Sequence, residues 1–115
     1  MRIAHVTDCY LPRLGGIELH VQDMSQRQRA AGHVVDVVTS TPEGRGVAAE
    51  YNGDPESTVR VRPDIASSAM RGMIASRDLP DLLTPERYDV VHSHLSVVSP
   101  FGARAAKLAA AAGLP

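Results

Sequence analysis

An α/β fold, a parallel sheet covered by helices, is predicted by three features of this 115-residue chain. Short β-branched runs alternate with longer helical stretches, the pattern of repeated strand-helix-strand units. The second of these runs, His33 to Thr39, carries Val34, Val35, Val37 and Val38 and is apolar almost throughout, as expected of a strand covered on both faces. Glycines stand where helices should begin and end, at Gly15-Gly16, Gly32 and Gly113.

Arg2 to Thr7 reads as the first strand. A helix over Ile17 to Ala31 carries Ile17, Val21, Met24 and Ala31 at helical spacing, with Gln28 on the same stripe where an apolar residue is expected. Gly32 stops this helix, and His33 to Thr39 forms the second strand, placed centrally. Residues Ser40 to Ser57 are rich in Gly, Pro and acidic side chains without periodicity and read as a long loop. The third strand, Thr58 to Arg62, alternates Val59 and Val61 with Arg60 and Arg62 before Pro63, the half-exposed pattern of a sheet edge. A weaker helical segment over Ser67 to Arg77 and a short turn or helix over Asp81 to Arg87 lead to a fourth strand, Asp89 to His94. Ser99-Pro100 offers an N-cap and a proline at the first helical position, opening a helix from Pro100 to Ala112 that ends at Gly113.

These elements predict a Rossmann-like parallel sheet of order 3-2-1-4 with flanking helices. Gly113-Leu114-Pro115 has the character of a loop leading into a further strand, so the sheet is expected to be truncated before strand 5. Strand 4 would then be an edge although Val90-Val91 suits burial, and the fragment is expected to be marginally stable or self-associating.

Composition removes several function classes. A net charge of -1 leaves no basic surplus to neutralise a run of phosphates, which argues against nucleic acid. Cys9 is the only cysteine, so no internal disulfide or multi-cysteine metal site forms, and a reducing cytoplasm is the expected compartment. Met1 to Val6 reads directly as a strand, with no charged n-region followed by an apolar stretch, so no signal peptide is expected. No apolar run approaches the ~20 residues needed to span a bilayer, so membrane contact is expected to be peripheral at most. Abundant alanine, and Lys107 as the only lysine, fit a GC-rich bacterial genome. His20 follows Glu18 by two residues, a spacing that matches no metal motif, and no metal and no cofactor are expected.

In an open parallel sheet, ligands bind beyond the carboxyl ends of the strands where the connections switch sides, here between strands 1 and 4. Two features converge on that crevice. Gly15-Gly16 opens the first helix, whose N-terminus presents free N–H groups and a partial positive charge to a phosphate or sugar hydroxyl. His92-Ser93-His94 closes the fourth strand, and strand periodicity puts Val90, His92 and His94 on one face. His94, at the carboxyl end, can project into the crevice and bond a hydroxyl or phosphate, whereas His92, His5 and His33 read as structural. Glu18 either touches a ligand from the first helical turn or complements the helix dipole.

The runs Arg2-Ile3-Ala4-His5-Val6, Leu11 to Val21 with its Leu-Pro-Arg-Leu-Gly-Gly-Ile-Glu-Leu-His-Val sequence, Ala31-Gly32-His33-Val34-Val35 and Tyr88-Asp89-Val90-Val91-His92-Ser93-His94 resemble, in order and spacing, the landmarks of family 4 glycosyltransferases. The resemblance covers most of the chain outside residues 40–87. It implies the N-terminal, acceptor-side Rossmann-like domain of a GT-B enzyme over residues 1–115, without the C-terminal nucleotide-sugar-binding domain. The implied reaction is a retaining, metal-independent transfer of sugar from a nucleotide-sugar donor to a sugar or lipid acceptor in the cleft between two such domains. By similarity Gly15 and Gly16 would lie beside the donor diphosphate and transferred sugar, and His94 would act as the catalytic-site residue lining the sugar and acceptor pocket. The family's phosphate-binding Arg/Lys pair and E-x7-E motif belong to the other domain, so this chain alone is expected to be inactive. Gln28 departs from the leucine usual at its position.

Two rival readings share the topology. A dinucleotide-dependent oxidoreductase should show G-x-G-x-x-G after strand 1 and an acidic residue ending strand 2, where this chain has Thr39-Ser40-Thr41. A non-catalytic receiver-like signalling module would use Asp8 and Asp64 but lacks the acidic pair beside Asp8.

Overall fold

The structure is a computed structural model that describes residues 1–12, 15–41, 44, 45, 48, 53, 54, 56–61, 79–95 and 100–115. Its elements run in the order β1 (Arg2–Thr7), α1 (Gly16–Ala30), β2 (Val34–Thr39), β3 (Thr58–Arg60), α2 (Leu79–Leu82), β4 (Val90–His94) and α3 (Pro100–Ala111). The four strands form one sheet of order β3-β2-β1-β4, with every pairing parallel. This is the predicted α/β Rossmann-like sheet with its flanking helices.

Agreement extends to most boundaries. β1 has the expected span, β2 and β4 each start one residue later, and the short element expected near Asp81 is α2 followed by a turn. β3 ends at Arg60, two residues early, and Val61 continues the ladder by donating its N–H to the Thr39 carbonyl at 2.8 Å. Arg62, Asp64, Ser99 and the expected helix over residues 67–77 lie outside the described residues.

Both long helices stop for the reason read from the sequence. Gly32 has φ +97 and Gly113 φ +80, and in each case the next residue donates back five positions, His33 to Gln28 and Leu114 to Ala109. That closure satisfies carbonyls left open at the helix end and needs a residue without a Cβ at the left-handed position. Beyond Gly113 the chain turns back along β4, where the Pro115 carbonyl accepts the Val91 N–H at 3.0 Å.

The main core lies between the sheet and α3. Ala4, Val6, Val38, Val61, Leu79, Leu83, Tyr88, Phe101 and Ala105 are buried together, with Val59, Leu82, Val91 and Leu108 packed around them. Phe101, Ala105 and Ala109 recur four apart, so α3 presents one apolar stripe. Within this layer the Tyr88 hydroxyl donates to Asp36 Oδ2 at 2.8 Å, and burial together with that carboxylate pushes the phenol pKa up. At the opposite end of the sheet, Arg2 bonds Asp89 through its backbone N–H at 2.7 Å and its guanidinium at 2.9 Å, and also reaches the Glu86 carbonyl. The Arg2 bonds hold the Asp89 carboxyl down at about 2 and join the start of β1 to the turn before β4.

The face covered by α1 departs from expectation. Its buried residues are Glu18, Val21 and Ser25, with Gln28 half-buried in line with them, while Ile17 is 39% exposed and Ala31 is exposed. The stripe is thus rotated from the Ile17-Val21-Met24-Ala31 line, and the sheet face beneath it is mixed, with Val37 packed against Val21 and the buried His5 bonded to Gln28. Gln28 on this stripe supplies the buried His5 with a hydrogen-bond partner, which a leucine there would not.

Candidate functional site

A groove of about 460 Å³ opens at the carboxyl end of the sheet, lined by Gly16, Ile17 and His20 of α1 and by His92, Ser93, His94 and Leu95 at the end of β4. It occupies the switch point between β1 and β4, where the sheet order places a ligand crevice. Gly16 and His94 share one wall-to-wall space.

The two glycines act through room rather than through unusual backbone angles. Gly15 is extended, with φ -173, and neither glycine has a positive φ. A Cβ on Gly15 would collide with the Glu18 carboxylate, whereas a Cβ on Gly16 would meet nothing within 4 Å. Gly16 therefore keeps the groove open, and Gly15 lets Glu18 fold back over the helix start. Glu18 is buried there, at 6% exposure, and is not among the groove-lining residues.

His94 sits in a histidine cluster. Its ring stacks on His92 with centroids 4.2 Å apart, and the rings of His5 and His20 lie 5.1 Å and 6.3 Å from it. His5 and His92 are register partners across β1 and β4, which sends both side chains to the α1 face. His5 is fully buried and bonded at both ring nitrogens, Nδ1 to His94 Nε2 at 2.9 Å and Nε2 to Gln28 Oε1 at 2.6 Å. A carbonyl oxygen only accepts, so His5 donates from Nε2 and accepts at Nδ1, and His94 must donate from Nε2. The relay Gln28–His5–His94 leaves Nδ1 of His94 as its lone-pair nitrogen.

Burial, reinforced by the other histidines, pushes the His94 pKa down to about 4, and burial also lowers that of His5. Near neutral pH both rings are uncharged, so His94 meets a ligand as a neutral hydrogen-bonding group rather than as a cation.

The loop between β1 and α1 is tied down by hydroxyls at the end of β2. Ser40 and Thr41 donate to the Asp8 carbonyl at 3.1 and 3.2 Å, and Thr41 Oγ1 accepts the Tyr10 N–H at 3.0 Å. Asp8 itself reaches across to α3, accepting the Phe101 N–H at 3.0 Å and the Gly102 N–H at 3.2 Å. The first turn of α3 thus receives a carboxylate from the residue that follows β1, a favourable pairing of negative charge with a helix N-terminus. Gly102 makes this approach possible, since a Cβ there would lie 2.8 Å from Leu95 and 3.3 Å from Asp8 Oδ2.

Of the residues singled out by sequence, Gly16 and His94 meet in the groove, whereas Gly15 is not among its lining residues and lies against the Glu18 carboxylate, itself outside the groove. His20 and His92 line the groove as well, and His5 supports it from behind. Sequence reasoning assigned these three no ligand role. For His92 the signal was available, since it shares the strand face of His94. For His5 and Gln28 none was, since their partners lie 89 and 23 positions away.

Among the described residues, no helix is long and apolar enough to cross a membrane. No curated protein matches the chain. The family model described as Glycosyltransferase Family 4 matches residues 14–115, which include α1, the whole groove lining and α3. The crevice of a Rossmann-like sheet and this match agree, and the chain belongs to glycosyltransferase family 4.

Proposed function

We propose that this chain is the acceptor-side domain of a retaining, metal-independent glycosyltransferase of GT-B arrangement, working in the cytoplasm on a nucleotide-sugar donor and a sugar or lipid hydroxyl acceptor. The observation that carries the reading is the shared groove of Gly16 and His94 at the switch point of a family 4 sheet. Gly15 and Gly16 give the transferred sugar and its diphosphate a close approach to the N-terminus of α1, worth roughly 0.3–1 kcal/mol to an anion at an exposed helix end. His94, oriented by His5 and Gln28, bonds a sugar or acceptor hydroxyl through Nδ1. Stabilisation of the leaving diphosphate, the step that most needs positive charge, falls to the nucleotide-binding domain of the complete enzyme. The chain alone therefore turns over no nucleotide sugar.

Backbone amide NMR of the purified chain, titrated with a panel of monosaccharides and nucleotide diphosphate sugars, tests this. The amides of Gly16, His20 and His94 should move together with one ligand class, and Gly16→Leu should abolish the shifts while leaving the urea midpoint near wild type, because that position has free space around it. Shifts elsewhere, shifts indifferent to Gly16→Leu, or turnover by the chain alone would each overturn the reading.

A further inference from the structure

Along the sequence the histidines have no metal-ligand spacing, but the fold supplies one. Pairing of β1 with β4 sets His5 opposite His92, and one ligand nitrogen from each of His5, His92 and His94 falls within 4.8 Å of the others. A tetrahedral zinc site with bonds of ~2.0–2.1 Å requires nitrogens about 3.3 Å apart. His5 Nδ1 and His94 Nε2 are already at 2.9 Å, so that pair opens slightly, and the exposed ring of His92 closes by side-chain rotation.

A second observation points the same way. The buried His5 has its remote nitrogen held by Gln28 Oε1 at 2.6 Å, which fixes the ring and leaves Nδ1 as a lone pair aimed at His94. Donation of the far N–H to a carbonyl oxygen is the support commonly found behind metal-ligating histidines. The cluster also opens on one side into the groove, where His20 stands with its ring 6.3 Å from that of His94, so a fourth position remains for water or for His20.

We propose that His5, His92 and His94 bind one divalent transition-metal ion of the zinc class. Three imidazoles favour such an ion over magnesium or calcium, which take oxygen ligands. On binding, the His94 proton moves from Nε2 to Nδ1, the His5–His94 hydrogen bond is replaced by two metal–nitrogen bonds, and no electron is transferred. An ion so placed turns His94 Nδ1 from an acceptor into a donor toward the groove. That consequence rests on the sugar-binding reading above, whereas uptake of the ion does not.

Titration of the chelator-treated chain with Co²⁺, followed by visible absorption, separates the two. One equivalent should bind with the intense d–d bands of a four-coordinate site and be displaced by Zn²⁺. His92→Ala, at an exposed position, should abolish the bands, and Gln28→Leu should weaken binding about 10–100-fold. His33→Ala should change nothing, although His33 Nδ1 lies 3.0 Å from the N-terminal amine and is the obvious adventitious site. Absence of the bands, their survival in His92→Ala or their loss in His33→Ala would overturn the proposal.

Discussion

Lowering the pH from 7 should destabilise this domain through its buried histidines before its carboxylates respond. His94 titrates at about 4 in the folded chain against an ordinary value of 6.5, because burial disfavours its charged form and His92, His5 and His20 add repulsion from β4, β1 and α1. Between those two values the unfolded chain binds more protons than the folded one, so stability is level above pH ~6.5 and falls as pH drops toward ~4. The gap corresponds to about 3 kcal/mol for a fully buried ring. His94 is only half-buried, and solvent screening reduces its share to on the order of 2 kcal/mol. His5, also shifted downward by burial, adds in the same direction. Asp89, held at about 2, loses its contribution only in more acidic solution and does not blur the window. Urea unfolding at pH 7.0, 6.0, 5.0 and 4.5 measures the effect, with His94→Gln as comparator, since glutamine can still donate to His5 but does not titrate. The substitution should shrink the pH-dependent loss by roughly half. Equal stability of the wild type across the series, or an unchanged loss in His94→Gln, would refute the reasoning.

Two further substitutions test contacts that join distant parts of the chain. Tyr88→Phe deletes the hydroxyl bonded to Asp36 and should cost about 1–2 kcal/mol, read as a lowered urea midpoint with unchanged slope. Asp8→Ala removes the carboxylate that accepts the Phe101 and Gly102 N–H groups, and should cost about 1–2 kcal/mol and accelerate hydrogen exchange at those two amides, with Asp8→Asn losing less.

Periodicity and punctuation in the sequence determined the strand order, the ends of both long helices at Gly32 and Gly113, and the meeting of Gly16 with His94 at one crevice. These were legible because each depends on residues near one another in the chain, or on a topological rule that applies to any sheet of this order. Tertiary structure alone decided the rest. The apolar stripe read on α1 gave way to Glu18-Val21-Ser25-Gln28, which sets Val21 on Val37 and Gln28 on His5 of the sheet. Gln28, an anomaly when read as a core residue, became the anchor of a relay once β1 brought His5 beneath it. Asp8 acquired a partner helix that begins 92 residues later, and Gly102 a packing reason that no turn signal reveals. Such contacts leave no spacing along the chain because strand pairing sets them. Parallel register puts residues as far apart as His5 and His94 within 2.9 Å, and only after that register exists do burial and hydrogen bonding fix the charge of each ring.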